Sequence, residues 1–198
     1  MTATKNTIIW IKDAAQIRAL ESPMRQEIVD AIAVLGPCSI TELAAYLGRA
    51  ADSLYFHVKK LVKVDLVQEV EKRKEGRHEW AIYAMPGRSA RLVYNAALKN
   101  SIRKIVAGAV RLSLREFNLA IGQANANFSG PQRNLWGGRA KGWLNEAELA
   151  EANRLLEQLS RLLSHNEPGP DRQVYSLGWV FAPAQVRPRA KLVKTKGT

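Results

Sequence analysis

The strongest constraint on the fold is a series of three short helical patterns between residues 22 and 62, of which the first two end at a glycine. The pair Ser22-Pro23 predicts a helix start, because serine caps free amides and proline costs nothing at the first helical position. The pair Gly36-Pro37 predicts the end of this helix. Between them, apolar residues follow one helical face: Met24, Ile28, Val29, Ile32 and Leu35.

Two further helices follow without a long connection. Ser39 and Glu42 have the spacing of a capping box, so a second helix is predicted from there to Gly48. Its inner face is predicted to consist of Ile40, Leu43, Ala44 and Leu47. A third helix is predicted from Ala51 or Asp52, with a buried stripe at i, i+4 and i+7: Leu54, Val58 and Leu61.

The opposite face of the third predicted helix is polar and aromatic, which a purely structural helix does not need. That face holds Asp52, Ser53, Tyr55, Phe56, Lys59 and Lys60. By itself, such a face is usually only solvated.

After Asp65 the pattern changes from helical to strand-like. Residues 66–70 and 79–85 are rich in β-branched and aromatic side chains, and the charged segment 71–78 between them contains Gly76. This predicts a β-hairpin with a basic tip. Helix, helix, turn, helix and hairpin is the order of a winged helix-turn-helix domain.

Three segments resemble the ArsR-like bacterial transcription regulators: TELAAYLG, then SLYFHVKKL, then DLV leading into the hairpin. The resemblance covers roughly residues 15–86, under half of the chain. Members of that family usually have glycine before LV, where this chain has Asp65. Aspartate tolerates a left-handed backbone better than most residues, so the turn is expected to persist.

The resemblance implies that the third predicted helix lies in the major groove of DNA. Asp52, Ser53, Tyr55 and Phe56 are then the candidates for base contacts, and Lys59 and Lys60 for phosphate contacts. His57 would support the helix or touch the DNA backbone. Flanking backbone or minor-groove contacts would come from the hairpin, the wing of this fold: Lys72, Arg73, Lys74 and Arg77. Two alternatives stay open: the two aromatic rings could pack on the wing or a partner subunit, and the wing charges could serve only solubility.

The second half of the chain predicts a fold that is mainly helical. Residues 89–122 contain no proline and only one interior glycine, which favours a helix of 34 residues, some 50 Å long. A second helix is predicted to begin at Asn145 with capping-box character, to carry the pair Glu157 and Arg161, and to present a heptad-like seam: Leu149, Ala152, Leu156, Leu159 and Leu163. Residues 125–142 are interpreted as a linker. Proline and glycine at 168–170 are expected to end the second helix, and residues 173–183 to form one strand.

The predicted architecture is therefore α+β, mainly α with a small β-hairpin, and has three parts. Residues 1–86 form the winged helix-turn-helix domain, residues 87–183 form long dimerisation helices with room for an effector, and residues 184–198 form a basic flexible tail.

Charge and composition point to a polyanionic partner without identifying the site. The net charge is +12, but residues 1–87 hold 12 basic and 11 acidic residues while residues 88–198 hold 18 and 7. The pattern of the first half, and not total charge, therefore carries the argument for DNA. Cys38 is the one cysteine, so no internal disulfide can form, and a reducing cytoplasm is the expected setting. No apolar run reaches the roughly 20 residues that span a bilayer.

These patterns favour a cytoplasmic, homodimeric, sequence-specific DNA-binding regulator, with repression suggested by the resemblance. The alternative is a winged-helix module for protein interaction or assembly without sequence-specific DNA binding. No catalytic set or nucleotide fingerprint is present, so an enzyme is not expected. No metal or other cofactor is expected either, because His57, His78 and His165 lack ligand spacing. A small-molecule effector between the long helices remains open.

Overall fold

The computed structural model describes residues 8–164 and 169–185. Its elements, in chain order, are β1 (Ile8–Ile11), α1 (Ala14–Ala19), α2 (Pro23–Leu35), β2 (Cys38–Ser39), α3 (Ile40–Leu47), α4 (Ala51–Val62), β3 (Gln68–Glu75), β4 (His78–Ala84), β5 (Ser89–Leu92), a 3-10 turn (Ala96–Leu98), α5 (Lys99–Ala120) and α6 (Glu146–Ser164). Among the described helices, none has the length and apolar character that crossing a membrane requires.

The three helices predicted in the first half are present as α2, α3 and α4. Pro23 opens α2, although the hydroxyl of Ser22 makes no capping hydrogen bond. The capping box of α3 is confirmed: Ser39 Oγ accepts from the Glu42 amide at 3.2 Å, and a Glu42 carboxylate oxygen accepts from the Ser39 amide at 2.7 Å. Gly48 ends α3 in the left-handed conformation, with φ of 62°.

A single apolar core lies beneath these helices, and α4 contributes its whole inner stripe to it. Leu54, Val58 and Leu61 are completely buried, as the i, i+4, i+7 pattern predicts. Each such side chain stabilises the fold by roughly 1.5–3 kcal/mol relative to exposure. The position of α4 on the body of the domain is therefore set by packing, which leaves its other face available.

The predicted hairpin is confirmed, but its first strand, β3, continues to Glu75 instead of ending at residue 70. β3 and β4 pair antiparallel from Gln68↔Ala84 to Glu75↔His78, and β4 also pairs with the short β2. The predicted charged tip at residues 71–78 is wrong in extent, because cross-strand pairing continues through most of it. The actual turn is Gly76-Arg77, with Gly76 at φ of 60°. Asp65, between α4 and the hairpin, has the predicted left-handed backbone, with φ of 56°.

Two elements near the start of the chain were not predicted. β1 pairs in parallel with β5, in register from Ile8↔Ser89 to Ile11↔Leu92. The carboxylate of Asp13 then caps α1 by accepting from two backbone amides, the nearer at 2.7 Å. The parallel pair joins the beginning of the described chain to residues beyond the domain boundary that was predicted at residue 87.

The predicted 34-residue helix is wrong, because its first part forms other structure. Residues 89–92 are held as a strand by β1, and a 3-10 turn follows, so α5 begins only at Lys99. With 22 residues α5 is about 33 Å long.

The predicted start of α6 is confirmed, since Asn145 and Glu148 exchange two hydrogen bonds of 2.8 and 3.0 Å. Arg161 and Glu157 form the predicted pair at 2.9 Å.

The last described segment differs from its prediction. Residues 173–183 form no strand, since no neighbouring backbone in the described chain pairs with them. A strand needs partners for its amides and carbonyls, and local alternation of side chains cannot supply them.

The predicted loop at 125–142 has no helix or strand, in agreement with its interpretation as a linker. Pro168, His165 and the tail from residue 186 lie outside the described residues.

Candidate nucleic-acid interface

The outward face of α4 is the centre of the candidate interface. Six predicted contact residues are exposed there, opposite the buried stripe: Asp52, Ser53, Tyr55, Phe56, Lys59 and Lys60. The two aromatic side chains are 46% and 60% exposed, so both rings are accessible to a ligand. The face combines hydroxyl, aromatic and cationic groups, the types that contact base edges and phosphates.

The first turn of α4 has polar groups that remain available to a ligand. Ala50 holds the N-cap position and has no side chain that can cap, so α4 starts without a side-chain hydrogen bond. Ser53 Oγ donates to the Ala50 carbonyl oxygen at 2.6 Å. Since its proton is used, the Ser53 oxygen is free to accept, for example from an exocyclic amine of a base.

The aromatic residues of α4 take different positions. Phe56 lies under the ammonium of Lys60, whose Nζ is 4.3 Å from the centroid of the Phe56 ring. The rings of Phe56 and His57 meet edge to face, with their centroids 5.6 Å apart. These contacts come from α4 itself and not from the wing. The pKa of Tyr83 on β4 is raised by burial, then by the charge of Glu69, then by Tyr55.

His57 does not share the outward face with the other predicted residues. It is half-buried, and its Nδ1 is shielded from solvent without a hydrogen-bond partner in the described structure. Burial lowers the pKa of His57, and the cations Arg25 and Lys60 lower it further. The imidazole is therefore neutral near pH 7 and lies against the body of the domain, which fits a supporting role better than a phosphate contact.

The four predicted basic residues of the wing divide into paired and unpaired ones. Lys72 lies 3.8 Å from Glu79, and Arg73 lies 3.4 Å from Glu71 and 3.6 Å from Glu42 of α3. All of these side chains are exposed, so the pairs are weak and phosphate can replace them.

Near the turn of the wing, Lys74 and Arg77 have no acidic partner among the described side chains. They are the cations of the wing that are available without breaking an ion pair. The assignment of the six α4 residues and the four wing residues to DNA contacts stays a prediction.

Sequence reasoning missed the residues that hold the turn between α3 and α4. Arg49, one residue before the N-cap of α4, pairs with Glu27 of α2 at 3.1 Å. Glu27 also pairs with Arg115 of α5, and its own side chain is only 11% exposed. In the sequence, this contact could have been suspected from a basic residue, Arg49, directly before the predicted third helix. Glu27 thus connects the start of α4 to α5.

A wide groove of about 1550 Å³ lies between α2, α5, α6 and residues 169–179. Asp30 of α2 and Glu116 of α5 line it. Although Asp30 is accessible to solvent, desolvation raises its pKa to about 6, with further contributions from Glu116 and Glu27. In the described ranges no three His, Cys, Asp or Glu side chains come together as a metal site. An effector in this groove stays a prediction.

Comparison with known proteins agrees with the geometry of the first half. Residues 20–70, which run from the end of α1 into β3, match the family model of a helix-turn-helix domain. No curated protein matches the chain at a significant level. The matched segment contains α2, α3 and α4 with the exposed face described above. Residues 20–70 are therefore similar to a helix-turn-helix domain, and the match supports a DNA-binding regulator.

Proposed function

We propose that the protein is a sequence-specific DNA-binding regulator of transcription that acts as a homodimer. The observation that carries this is the division of α4 into two faces. One face is completely buried in the domain core, and the other exposes Ser53, Tyr55, Phe56 and two lysines. A helix fixed in this way can enter the major groove as a rigid body.

The wing supports the same function from a second direction. Its turn is basic, and its long paired strands hold Lys74 and Arg77 away from the body of the domain. Phosphate contacts from the wing would fix the register of α4 on the duplex, while α4 reads the bases.

Homodimerisation and repression are supported by general features of helix-turn-helix proteins and by the resemblance to ArsR-like regulators. Helix-turn-helix proteins commonly bind two half-sites through a two-fold dimer. The resemblance to ArsR-like regulators favours repression and a bacterial cytoplasmic setting, which suits a chain with one buried cysteine.

The test is selection of bound duplexes from a random DNA pool by the full-length protein. We expect a common sequence motif, and binding to it at physiological salt that is at least about 1,000-fold tighter than binding to random duplex. If the bound pool stayed random and binding were weak for every duplex, the chain would be an interaction or assembly module. A titration of the selected duplex from 50 to 200 mM salt then gives the number of phosphate contacts.

A further inference from the structure

Residues 136–143, which lie shortly before α6, form a segment that is exposed, aromatic and basic. Its end residues Trp136 and Trp143 are 74% and 86% exposed. Between the two rings, the sequence GGRAKG holds Arg139, Lys141, three glycines and one alanine. From residue 121 to residue 145 the chain contains three basic residues and no acidic one. The segment lies outside the matched residues 20–70, and the proposed function gives it no role.

The segment is held at both ends. Before it, Asn134 Oδ1 accepts from the Asn127 amide at 2.8 Å, and the Asn127 carbonyl accepts from the Asn134 amide at 3.0 Å. The guanidinium of Arg133 then stacks on the Trp136 ring, 3.8 Å from the ring centroid. At the other end, the capping box described above fixes the start of α6. The segment therefore leaves the protein surface from two fixed points.

Between these points, two cations are available to a ligand. Arg139 and Lys141 are exposed, and neither makes a hydrogen bond or an ion pair with a residue in the described ranges. Their neighbours are glycine and alanine, so no bulky side chain stands between the two cations and a binding partner.

The three glycines of the segment are not required by the fold. Glycine is needed where φ is positive or where the protein leaves no room for a Cβ. Gly137, Gly138 and Gly142 do not have a positive φ. A Cβ at Gly138 or Gly142 would meet no atom within 4 Å, and one at Gly137 would make an ordinary contact of 3.5 Å with Phe117 Cζ. A further use of glycine, close approach of the backbone to a ligand, fits this open segment.

A narrow groove with negative potential is the partner that these features fit. The minor groove of B-DNA is about 6 Å wide, and where it is narrow it attracts inserted arginine and lysine side chains. A backbone without bulky side chains can enter this groove and carry Arg139 and Lys141 between the phosphate strands. The rings of Trp136 and Trp143 then lie at the groove edges, where they offer apolar surface to sugars and base steps.

Contacts through α5 place the segment near the start of α4. Gly137 lies against the Phe117 ring. Arg115, two residues earlier on α5, pairs with Glu27, which pairs with Arg49 directly before α4. Phe117 lies on the other side of α5 from Arg115, so the segment is displaced from these ion pairs by roughly the 10–12 Å diameter of a helix. Neighbouring major and minor grooves are about 17 Å apart, half a helical turn, so one duplex can reach α4 and the segment together.

We propose that residues 137–142 insert into the minor groove next to the major-groove site of α4, with Arg139 and Lys141 between the phosphate strands. This rests on the proposed DNA binding and adds a contact site outside α4 and the wing. An anionic membrane surface also attracts tryptophan and basic side chains. The position of the segment near the start of α4 favours DNA.

The experiment measures binding of the full-length protein to two mixed-sequence duplexes by fluorescence anisotropy. In the second duplex inosine replaces every guanine, which removes the minor-groove amine and leaves the major-groove edge unchanged. We expect the wild type to bind the inosine duplex about fivefold more tightly. Arg139→Gln should weaken binding to the inosine duplex about tenfold and remove the preference. Since the wing can also reach a minor groove, the loss of preference in this variant is the decisive result.

The matched control for charge is Arg103→Gln. Arg103 is also exposed, but it lies about 21 Å along α5 from Phe117. Arg103→Gln lowers the net charge by the same amount as Arg139→Gln does, and we expect it to keep the preference for the inosine duplex.

Gly138→Leu tests the close approach of the backbone. Because the fold leaves room for a side chain there, we expect the far-UV circular dichroism and the urea midpoint to stay unchanged. Binding to the inosine duplex should fall as far as it does in Arg139→Gln, because leucine blocks entry into the groove. Gly122→Leu is the matched control, since a Cβ there meets its nearest atom at 3.9 Å and the position lies outside the segment. It should bind both duplexes as the wild type does.

Equal binding of the wild type to both duplexes would overturn the proposal, as would Arg139→Gln and Gly138→Leu variants that bind like their controls. Binding to vesicles of zwitterionic and anionic phospholipids that depends on Arg139, with DNA binding unaffected by Arg139→Gln, would assign the segment to a membrane surface instead. The proposed function can fail separately: a random pool that yields no motif, with the inosine preference intact, would mean minor-groove contact without sequence reading. If Lys59→Ala weakens DNA binding and Arg139→Gln does not, α4 contacts DNA and the segment does not.

Discussion

At the scale of single residues, the face of α4 separates groups that would position the protein from groups that would read sequence. Lys59 is exposed and cationic, and Ser53, in the first turn of α4, has an oxygen free to accept. We expect Lys59→Ala to weaken binding to the selected and random duplexes by a similar factor, and to lower the salt slope by about 1, because one phosphate contact is lost. Fluorescence anisotropy over a salt series measures both quantities.

Ser53→Ala is the matched substitution on the same face. We expect it to change the preference among base pairs at one position of the selected motif, by about 1–3 kcal/mol, with the salt slope unchanged. Repeating the selection with the variant shows the change directly. If both variants bound all duplexes as the wild type does, α4 would not be the reading helix.

Asp65 tests whether the turn into the wing depends on backbone conformation. Its φ of 56° strains most side chains but not glycine. We expect Asp65→Val to lower the free energy of unfolding by about 1–2 kcal/mol, and Asp65→Gly to change it by less than about 1 kcal/mol. Urea denaturation measures both. Equal losses in the two variants would mean that the carboxylate, and not the backbone, stabilises this turn.

Asp30 predicts a pH dependence of stability. Its pKa is raised from 3.8 to about 6, so the folded chain binds a proton more tightly than the unfolded chain does. The stabilisation by this proton is fully present below pH 3.8 and is lost as the pH rises through 6. We expect Asp30→Asn to be more stable than the wild type at pH 7.5, with the difference reduced at pH 4. Urea denaturation at both values checks this, and a difference independent of pH would contradict it.

At the scale of elements, Glu27 of α2 connects the turn before α4 to α5. It pairs with Arg49 before α4 and with Arg115 of α5, and it is the least exposed of the three. We expect Glu27→Gln to lower the free energy of unfolding by about 1–2 kcal/mol, because two partly shielded ion pairs weaken together.

The matched control for Glu27 is Glu157→Gln on α6, whose exposed pair with Arg161 lies within one helix. We expect Glu157→Gln to change the free energy of unfolding by no more than about 0.5 kcal/mol. Hydrogen exchange of the α5 amides provides a second measurement, since the loss of Arg115 pairing should speed their exchange. Equal effects of the two substitutions would contradict the connecting role of Glu27.

The sequence predicted those elements that have local signals. A capping box, glycine stops and an apolar stripe define α3 and α4, and all of these lie within a few residues of one another. β1 and β5 were missed because they pair across about 80 residues, with no local mark on either strand. Residues 89–92 contain no proline or glycine, so their sequence reads as a continuation of the helix that follows. The outward face of α4 was predictable from its period, whereas the inward turn of His57 and the Glu27 ion pairs depend on tertiary contacts.

At the scale of the whole molecule, the proposed dimer predicts a spacing rule for its DNA. Two α4 helices related by a two-fold axis reach half-sites about one helical turn, 10–10.5 base pairs, apart. We expect that inserting five base pairs between the selected half-sites weakens binding strongly, because the second half-site moves to the opposite side of the duplex. Inserting ten should restore part of the affinity. A mobility-shift series measures this, and equal binding at all spacings would indicate that each α4 binds alone.

Cys38 lies in the short strand β2, buried in the apolar core, and its pKa is raised to about 11, first by burial and then by the charge of Glu42. At neutral pH almost none of it is thiolate, the form that reacts with maleimides and oxidants. A cysteine introduced on the surface would therefore be the only sulfur that takes a dye. Labels placed on the wing or on α6 could follow DNA binding and dimer formation separately, without first removing the native thiol.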